Sequence, residues 1–395
     1  MEPLALCLIV IFVAITAIPL LSKRIGLPVI VIEIVFGIIV GKSLLNIIPE
    51  HSIIDFFSSF GLTYLMFLAG LEVDFEVVRK YLSRTVLIAL FSISIPFLAG
   101  AMLSSYAGVH PLLLGTIFST TSLGLILPLT RELKCRKGFL HILFASVVLV
   151  DIISMFILAF SLALIQGYLG ISFIYSLLAI LILFITPWLI NKWDVKKKIE
   201  AWLLERSHFE MEVRFSFALI FILAAISGYL GFHSIIGAFI AGLIISELQS
   251  TSRVAFFKKK LVLEKKFESF GYGFFIPLFF VLMGGKVDLP VLFSNLMNIQ
   301  LLVIIVVAAI LSKVIGVGFI TKVNGFSLRE SIAFGSFHAA RLSLIIAAAE
   351  IASRLGLIDN NLFSIFVILA IISSIVGPSA GKVLAKQNEK RWKIW

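Results

Sequence analysis

Charged residues are scarce in this chain: Asp, Glu, Lys and Arg make up 14% of its 395 residues, where soluble proteins carry about 25%. Cysteine is almost absent. Cys7 lies inside an apolar run and Cys135 in a basic loop, which gives neither a disulfide framework nor a metal-binding spacing. The histidines, His51, His110, His141, His208, His233 and His338, are equally scattered, and no Ser/His or His/Cys/Glu grouping supports a membrane-embedded enzyme. Low-complexity tracts and soluble domains are missing, and the tail Lys386–Trp395 is too short to fold alone. What fills the chain is apolar side chain, 60% of all residues. That composition reads as an all-α polytopic membrane protein.

A net charge of +11 is also what a nucleic-acid-binding protein carries. Here, however, the basic residues sit in short loops between apolar runs, where they set membrane orientation, so nucleic-acid binding is not expected. Runs of about 20 apolar residues cross a bilayer. On that rule the sequence predicts about 13 transmembrane helices, near 3–22, 28–45, 54–72, 84–107, 110–130, 139–165, 172–191, 214–231, 232–247, 266–285, 296–321, 327–352 and 361–384. The first is not read as a cleaved signal peptide, because Glu2 replaces a basic leader and Lys23 and Arg24 follow the apolar run. Of the 33 Lys and Arg, 28 fall in alternate loops on one side, three (Lys42, Lys286, Arg354) on the other, and two (Lys313, Arg341) inside spans. This bias places the N-terminus outside and the C-terminus in the cytoplasm. The segment 196–213 divides the chain into halves and reads either as an interfacial amphipathic helix or as a solvated linker.

The few charges inside spans stand out against this background. Asp151 lies near the middle of the run Phe139–Ile165, and Lys313 is isolated within Asn298–Thr321. A carboxylate at that depth costs several kcal/mol unless something answers it, so it marks a functional site by default. Lys313 is the expected partner of Asp151. Glu33, in the second span, either lines an aqueous funnel or pairs with a neighbouring helix.

Two spans break their own helical pattern. The fifth holds four consecutive hydroxyls, Ser119, Thr120, Thr121 and Ser122, followed by Gly124 and Pro128. Proline removes an amide donor and clashes with the preceding turn, and unwound backbone survives at membrane depth only where protein buries it or water reaches it. Alone, the segment would read as a kinked helix. The twelfth span is interrupted at similar depth by Gly335, Ser336, His338, Arg341 and Ser343. Two broken helices of opposite direction, each next to a span with a buried charge, are the sequence mark of a transporter with inverted repeats and crossing helices. His338 invites a pH-sensing role, but a lone histidine in a span is more often simply hydrogen-bonded.

These segments resemble the monovalent cation:proton antiporter-2 family, the Kef-type and sodium/proton exchangers. The matching stretches run nearly end to end: GLPVIVIEIVFGIIVGKSLL, FLAGLEVD, STTSLGLILPL, VLVDIIS, GAFIAGLIIS, FFIPLFFVLMGGKVDL, and Lys313 with Arg341. The resemblance implies a homodimer in which a core domain, 81–170 with 291–385, moves against dimerisation helices at 1–80 and 214–290. Residues 171–213 form the linker helix and amphipathic segment, and 386–395 a cytoplasmic tail. It implies cation and proton binding at Asp151 with Thr120, Thr121, Ser122 and Ser154, and charge compensation by Lys313 and Arg341. Na+ is the expected ion, with K+ or Li+ as alternatives, and no cofactor is expected beyond the transported ion. Three positions depart from the family's pattern: Val150 stands where relatives usually carry Asp, Asn or Gln, Ser343 where a Glu often follows the arginine, and Lys42 in place of a Pro. A single carboxylate is therefore left at the site, and the sequence leaves open whether Lys313 is a structural partner or a second proton carrier. The reading is antiport by alternating access in the cell membrane, the alternative being a gated cation channel. The nucleotide-binding domain of Kef-type relatives is not expected.

Overall fold

The computed structural model describes residues 2–73, 82–122, 126, 137–167, 210–230, 233–249 and 265–386. Every regular element among them is helical, as lipid requires, since only a helix satisfies all of a segment's backbone polar groups from within. The elements are α1 Glu2–Ile25, α2 Val29–Val40, α3 Ser52–Leu71, α4 Leu82–Ala107, α5 Pro111–Ser119, α6 Lys137–Ile165, α7 Met211–Tyr229 and α8 Ser234–Gln249. There follow α9 Lys265–Gly285, α10 Leu289–Phe293, α11 Leu296–Val323, α12 Leu328–His338, α13 Ser343–Arg354 and α14 Asn360–Lys386.

Among the described residues nine stretches are long and apolar enough to span a membrane, α12 and α13 counting as one, and α2 and α8 are shorter apolar helices. With the half-span α5, every expected span is accounted for except the seventh. That one, 172–191, lies outside the described residues, as do Pro128 and most of 196–213. Among the described residues the fifth and twelfth spans are interrupted: α5 stops at Ser119, and the twelfth is split into α12 and α13.

Local chemistry explains the boundaries. Pro111 opens α5 where its missing N–H is no loss, and His110 Nδ1 accepts the Leu112 N–H at 3.3 Å. A capping box opens α12, with Ser327 Oγ accepting from Glu330 N and Glu330 Oε2 accepting from Ser327 N. In α9 one turn widens to a π-helix at Gly271–Phe275, where Ile276 N–H reaches back to Gly271 O, just before the ring of Pro277.

The chain divides into two units, Met1–Ile54 with Glu76–Ser161 and Phe280–Trp395, and Asp55–Phe75 with Leu162–Phe279. In the second, Phe60, Tyr64, Phe67, Phe217, Phe267 and Phe275 form a chain of ring contacts with centroids 4.6–6.4 Å apart, and the Tyr64 hydroxyl donates to Phe267 O at 3.1 Å. Helices α3 and α8 approach through glycine: a Cβ on Gly70 would lie 2.1 Å from Phe239 O, and one on Gly242 2.1 Å from Phe67 O. We expect Gly70→Ala to force these helices apart at a cost of about 1–3 kcal/mol, read as a lowered thermal midpoint in detergent. An unchanged midpoint would remove the close contact from the account of this unit's stability.

The first unit holds the elements that matter below. Helix α11 packs on α4, and a Cβ on Gly316 would lie 2.9 Å from Phe91 O. That closeness sets Lys313, one turn earlier on α11, against the backbone of Ser92.

Candidate functional site

Helices α5 and α12 end in mid-span, and the non-helical segments that follow them meet. Thr120 has φ −62° and ψ 157°; beyond α12 the chain stays non-helical to Leu342, with φ −148° and ψ −72°. Ser122 N donates to Ala340 O at 2.9 Å, Thr121 Oγ1 donates to His338 O at 3.2 Å, and the hydroxyls of Ser122 and Ser343 lie 3.4 Å apart. The two broken helices thus cross as the sequence predicted.

A helix that stops in a low-dielectric interior leaves its last carbonyls without partners and a partial negative charge at its end. The buried cations answer this at α5. Lys313 Nζ donates to Ser119 O at 2.6 Å, and also to Ser92 O at 2.6 Å and Ser92 Oγ at 2.9 Å. Arg341 Nε donates to Thr120 O at 3.1 Å and Nη2 to Ala309 O at 2.7 Å. Both side chains are fully buried. The Arg341 Nη1 has no hydrogen-bond partner among the described residues. Ser373 Oγ steadies the arginine's backbone by donating to its carbonyl at 3.2 Å.

Asp151, on α6, is 8% exposed. One turn on, Ser154 Oγ donates to Ser119 O at 3.5 Å, the same carbonyl that Lys313 holds. The structure therefore brings Asp151, Ser154, Thr120, Thr121, Ser122, Lys313 and Arg341 onto one crossing. It differs from the sequence reading in one respect. The three N–H groups of Lys313 go to uncharged oxygens rather than to the carboxylate, and the charges of Arg341 and Asp151 act on the ammonium through space, the first repelling and the second attracting.

The departures at Val150 and Ser343 are placed as well. Val150 is fully buried against Ala89 and Ile93 of α4, in an apolar patch, so its side chain adds nothing polar to the crossing. Ser343 opens α13 and contributes only its hydroxyl. Glu33, read from the sequence either as a funnel residue or as a partner for a neighbouring helix, is 2% exposed on α2, and its Oε2 has no hydrogen-bond partner among the described residues.

Sequence reasoning missed the surroundings of His338. Its Nδ1 lies 3.0 Å from Ser92 Oγ and its Nε2 2.9 Å from Ser146 Oγ, and all three residues are fully buried. The available signal was weak: single serines in apolar runs, at a depth matching the histidine.

Comparison with known proteins agrees with this geometry. Residues 8–387 match the family described as sodium/hydrogen exchanger, transmembrane. The probable Na(+)/H(+) antiporter 3 of Methanocaldococcus jannaschii is 31% identical over 380 residues, covering 94% of this chain and 95% of that protein. The Na(+)/H(+)-K(+) antiporter GerN of Bacillus cereus is 28% identical, with 94% of each covered. Among solved structures, the sodium proton antiporter MjNhaP1 from Methanocaldococcus jannaschii superposes with a TM-score of 0.61 over 98% of this chain and 99% of that one, at 16% identity, a likeness of fold. Crossed half-helices, buried charges on the crossing and a match over nearly the whole length lead to one conclusion: the chain belongs to the transmembrane sodium/hydrogen exchanger family.

Proposed function

We propose that this protein is a secondary antiporter that exchanges a monovalent cation, Na+ first among the alternatives, for protons by alternating access in the cell membrane. The observation that carries the proposal is the crossing itself, where two buried cations hold the carbonyls of Ser119 and Thr120 and the charge of the buried Asp151 acts on Lys313. Oxygen atoms are the ligands a hard, dehydrated cation prefers, and a carboxylate binds either a proton or such a cation. One site that cannot hold both is the coupling. Names among the relatives support Na+, and the one that adds K+ keeps potassium as the alternative. The channel reading has no support, since the relatives named are antiporters.

In this proposal Asp151 takes the cation with Thr120, Thr121, Ser122 and Ser154, while Arg341 holds the half-helix end of α5 in both states. Lys313 offsets Asp151 and yields a proton as the cation arrives. Residues 81–170 and 291–385 form the moving core, and 1–80 and 214–290 the dimerisation helices of a homodimer. The N-terminus lies outside and the C-terminus in the cytoplasm.

Competition fixes the pH dependence. A proton bound at Asp151 excludes the cation, so the apparent KM for Na+ rises as pH falls, approaching about tenfold per pH unit for each proton that competes. Proteoliposomes given Na+, K+ or Li+ after a pH step measure this directly. A KM that does not change with pH would sink the shared-site mechanism, and unitary currents in a planar bilayer would revive the channel.

A further inference from the structure

We propose that Lys286 and Glu350 form an ionic latch at the outer end of the seam between the dimerisation helices and the moving core, closed in the arrangement seen here and released when the site opens outward. The latch rests on the reading of antiport by alternating access given above.

Two of the three basic residues that the charge bias leaves on the outer side, Lys286 and Arg354, converge on one carboxylate. Glu350, on α13, is 1% exposed; its Oε1 accepts from Lys286 Nζ at 2.7 Å and from Arg354 Nε at 2.6 Å, and its Oε2 has no hydrogen-bond partner among the described residues. Lys286 is tied to α2. It directly follows α9, where a Cβ on Gly284 would lie 2.1 Å from Ile34 O, Lys42 N donates to Gly285 O at 3.1 Å, and the Ser43 hydroxyl donates to Val287 O at 2.7 Å. Glu350 is tied to the crossing instead, because α13 starts there at Ser343 and reaches Glu350 about two turns later. Any shift of the crossing against α2 and α9 therefore moves this carboxylate relative to the ammonium. A second contact closes the same seam, with Asp288 N donating to Ser364 Oγ of α14 at 2.9 Å.

What separates a latch from a permanent brace is the state left after opening. Removing one partner of a buried ion pair is strongly destabilising when the other charge stays buried alone. Here it is not left alone. Arg354 lies one turn beyond Glu350 on the same helix and moves with it, and the Lys286 side chain is already 36% exposed, so the released ammonium passes into water. Each opening exchanges a carboxylate shared by two cations for one held by a single arginine. A brace between two helices has no need of that third group.

Two independent measurements on the full chain, with Cys7 and Cys135 replaced by serine, test this. In intact cells, Ser364→Cys puts a thiol into the seam at a fully buried position, and a membrane-impermeant maleimide reads how often it is uncovered from outside. Adding Lys286→Met keeps an apolar stem and leaves Glu350 with Arg354; labelling should become about fivefold faster, the scale of one ion pair with a part-exposed partner. In proteoliposomes, Lys286→Cys with Glu350→Cys, joined by a bifunctional thiosulfonate, should lose nearly all Na+-driven proton flux and regain it with reductant, since the linked helices can no longer part. If Lys286→Met folds poorly, the linked pair decides alone. Labelling unchanged by Lys286→Met, or full flux through the linked protein, would overturn the latch and leave antiport at Asp151 standing. Absence of cation-driven proton flux in the wild type would instead overturn the reading on which the latch rests.

Discussion

Replacing Asp151 by asparagine is expected to abolish cation-dependent proton flux while the protein still folds and inserts. Asparagine keeps the size and much of the hydrogen bonding of aspartate but removes the charge and the exchangeable proton. A unit charge about 4 Å from a bound cation is worth about 4 kcal/mol at an effective dielectric constant of 20, or about a thousandfold in affinity. In the proposed mechanism both sides of the exchange are lost together, since proton and cation compete for the same oxygens. The fold should tolerate the change, because the buried cations at the end of α5 are hydrogen-bonded to backbone carbonyls and the Ser92 hydroxyl, not to this carboxylate. The measurement is acridine-type dye quenching in proteoliposomes after addition of Na+, with size-exclusion elution and thermal midpoint as folding controls. Full dequenching by a well-folded Asp151→Asn variant would remove Asp151 from the site.

The spans were legible because hydropathy is a one-dimensional property and lipid leaves the backbone little choice but helix. The two interruptions were legible for a related reason. Runs such as Ser119–Ser122 and the polar break from Gly335 to Ser343 are costly in a lipid-facing helix, so they mark places where the backbone does something else. What the sequence could not supply is rotation and depth to within a few ångströms. Lys313 was expected to face Asp151, but Gly316 lets α11 settle against Phe91 of α4, and that contact turns the ammonium onto Ser92 and Ser119. Ser92 and Ser146 were hidden for the same reason, since a lone serine in an apolar run is ordinary until a third helix presents His338 between two of them. Val150 was recognised as a departure from the family's pattern, yet only the packing shows that its side chain fills an apolar patch with Ala89 and Ile93.

Replacing Lys313 by glutamine should convert an exchanger that responds to membrane potential into a slower one that does not. In the wild type an incoming cation meets the ionised Asp151 with Lys313 and Arg341 both buried nearby, and releasing the Lys313 proton keeps the buried charge from rising. Together with the proton that Asp151 gave up before the cation bound, two protons then exchange for one cation, and one net charge moves per cycle. A potential of 100 mV acts on that charge with about 2.3 kcal/mol, equivalent to about a fiftyfold difference in the cation gradient the exchanger can sustain. Glutamine has no proton to give, so Asp151 alone exchanges one for one and the potential drops out. Its two amide hydrogens also leave one of the three oxygens that Lys313 holds without a donor, a cost of about 1–3 kcal/mol that accounts for the reduced rate and a lower thermal midpoint. Valinomycin-clamped proteoliposomes give the answer. A wild-type gradient that shifts with the imposed potential, and a Lys313→Gln gradient that does not, are the expected pair. Indifference to potential in both would make Lys313 a structural partner for the end of α5 and set the stoichiometry at one proton per cation.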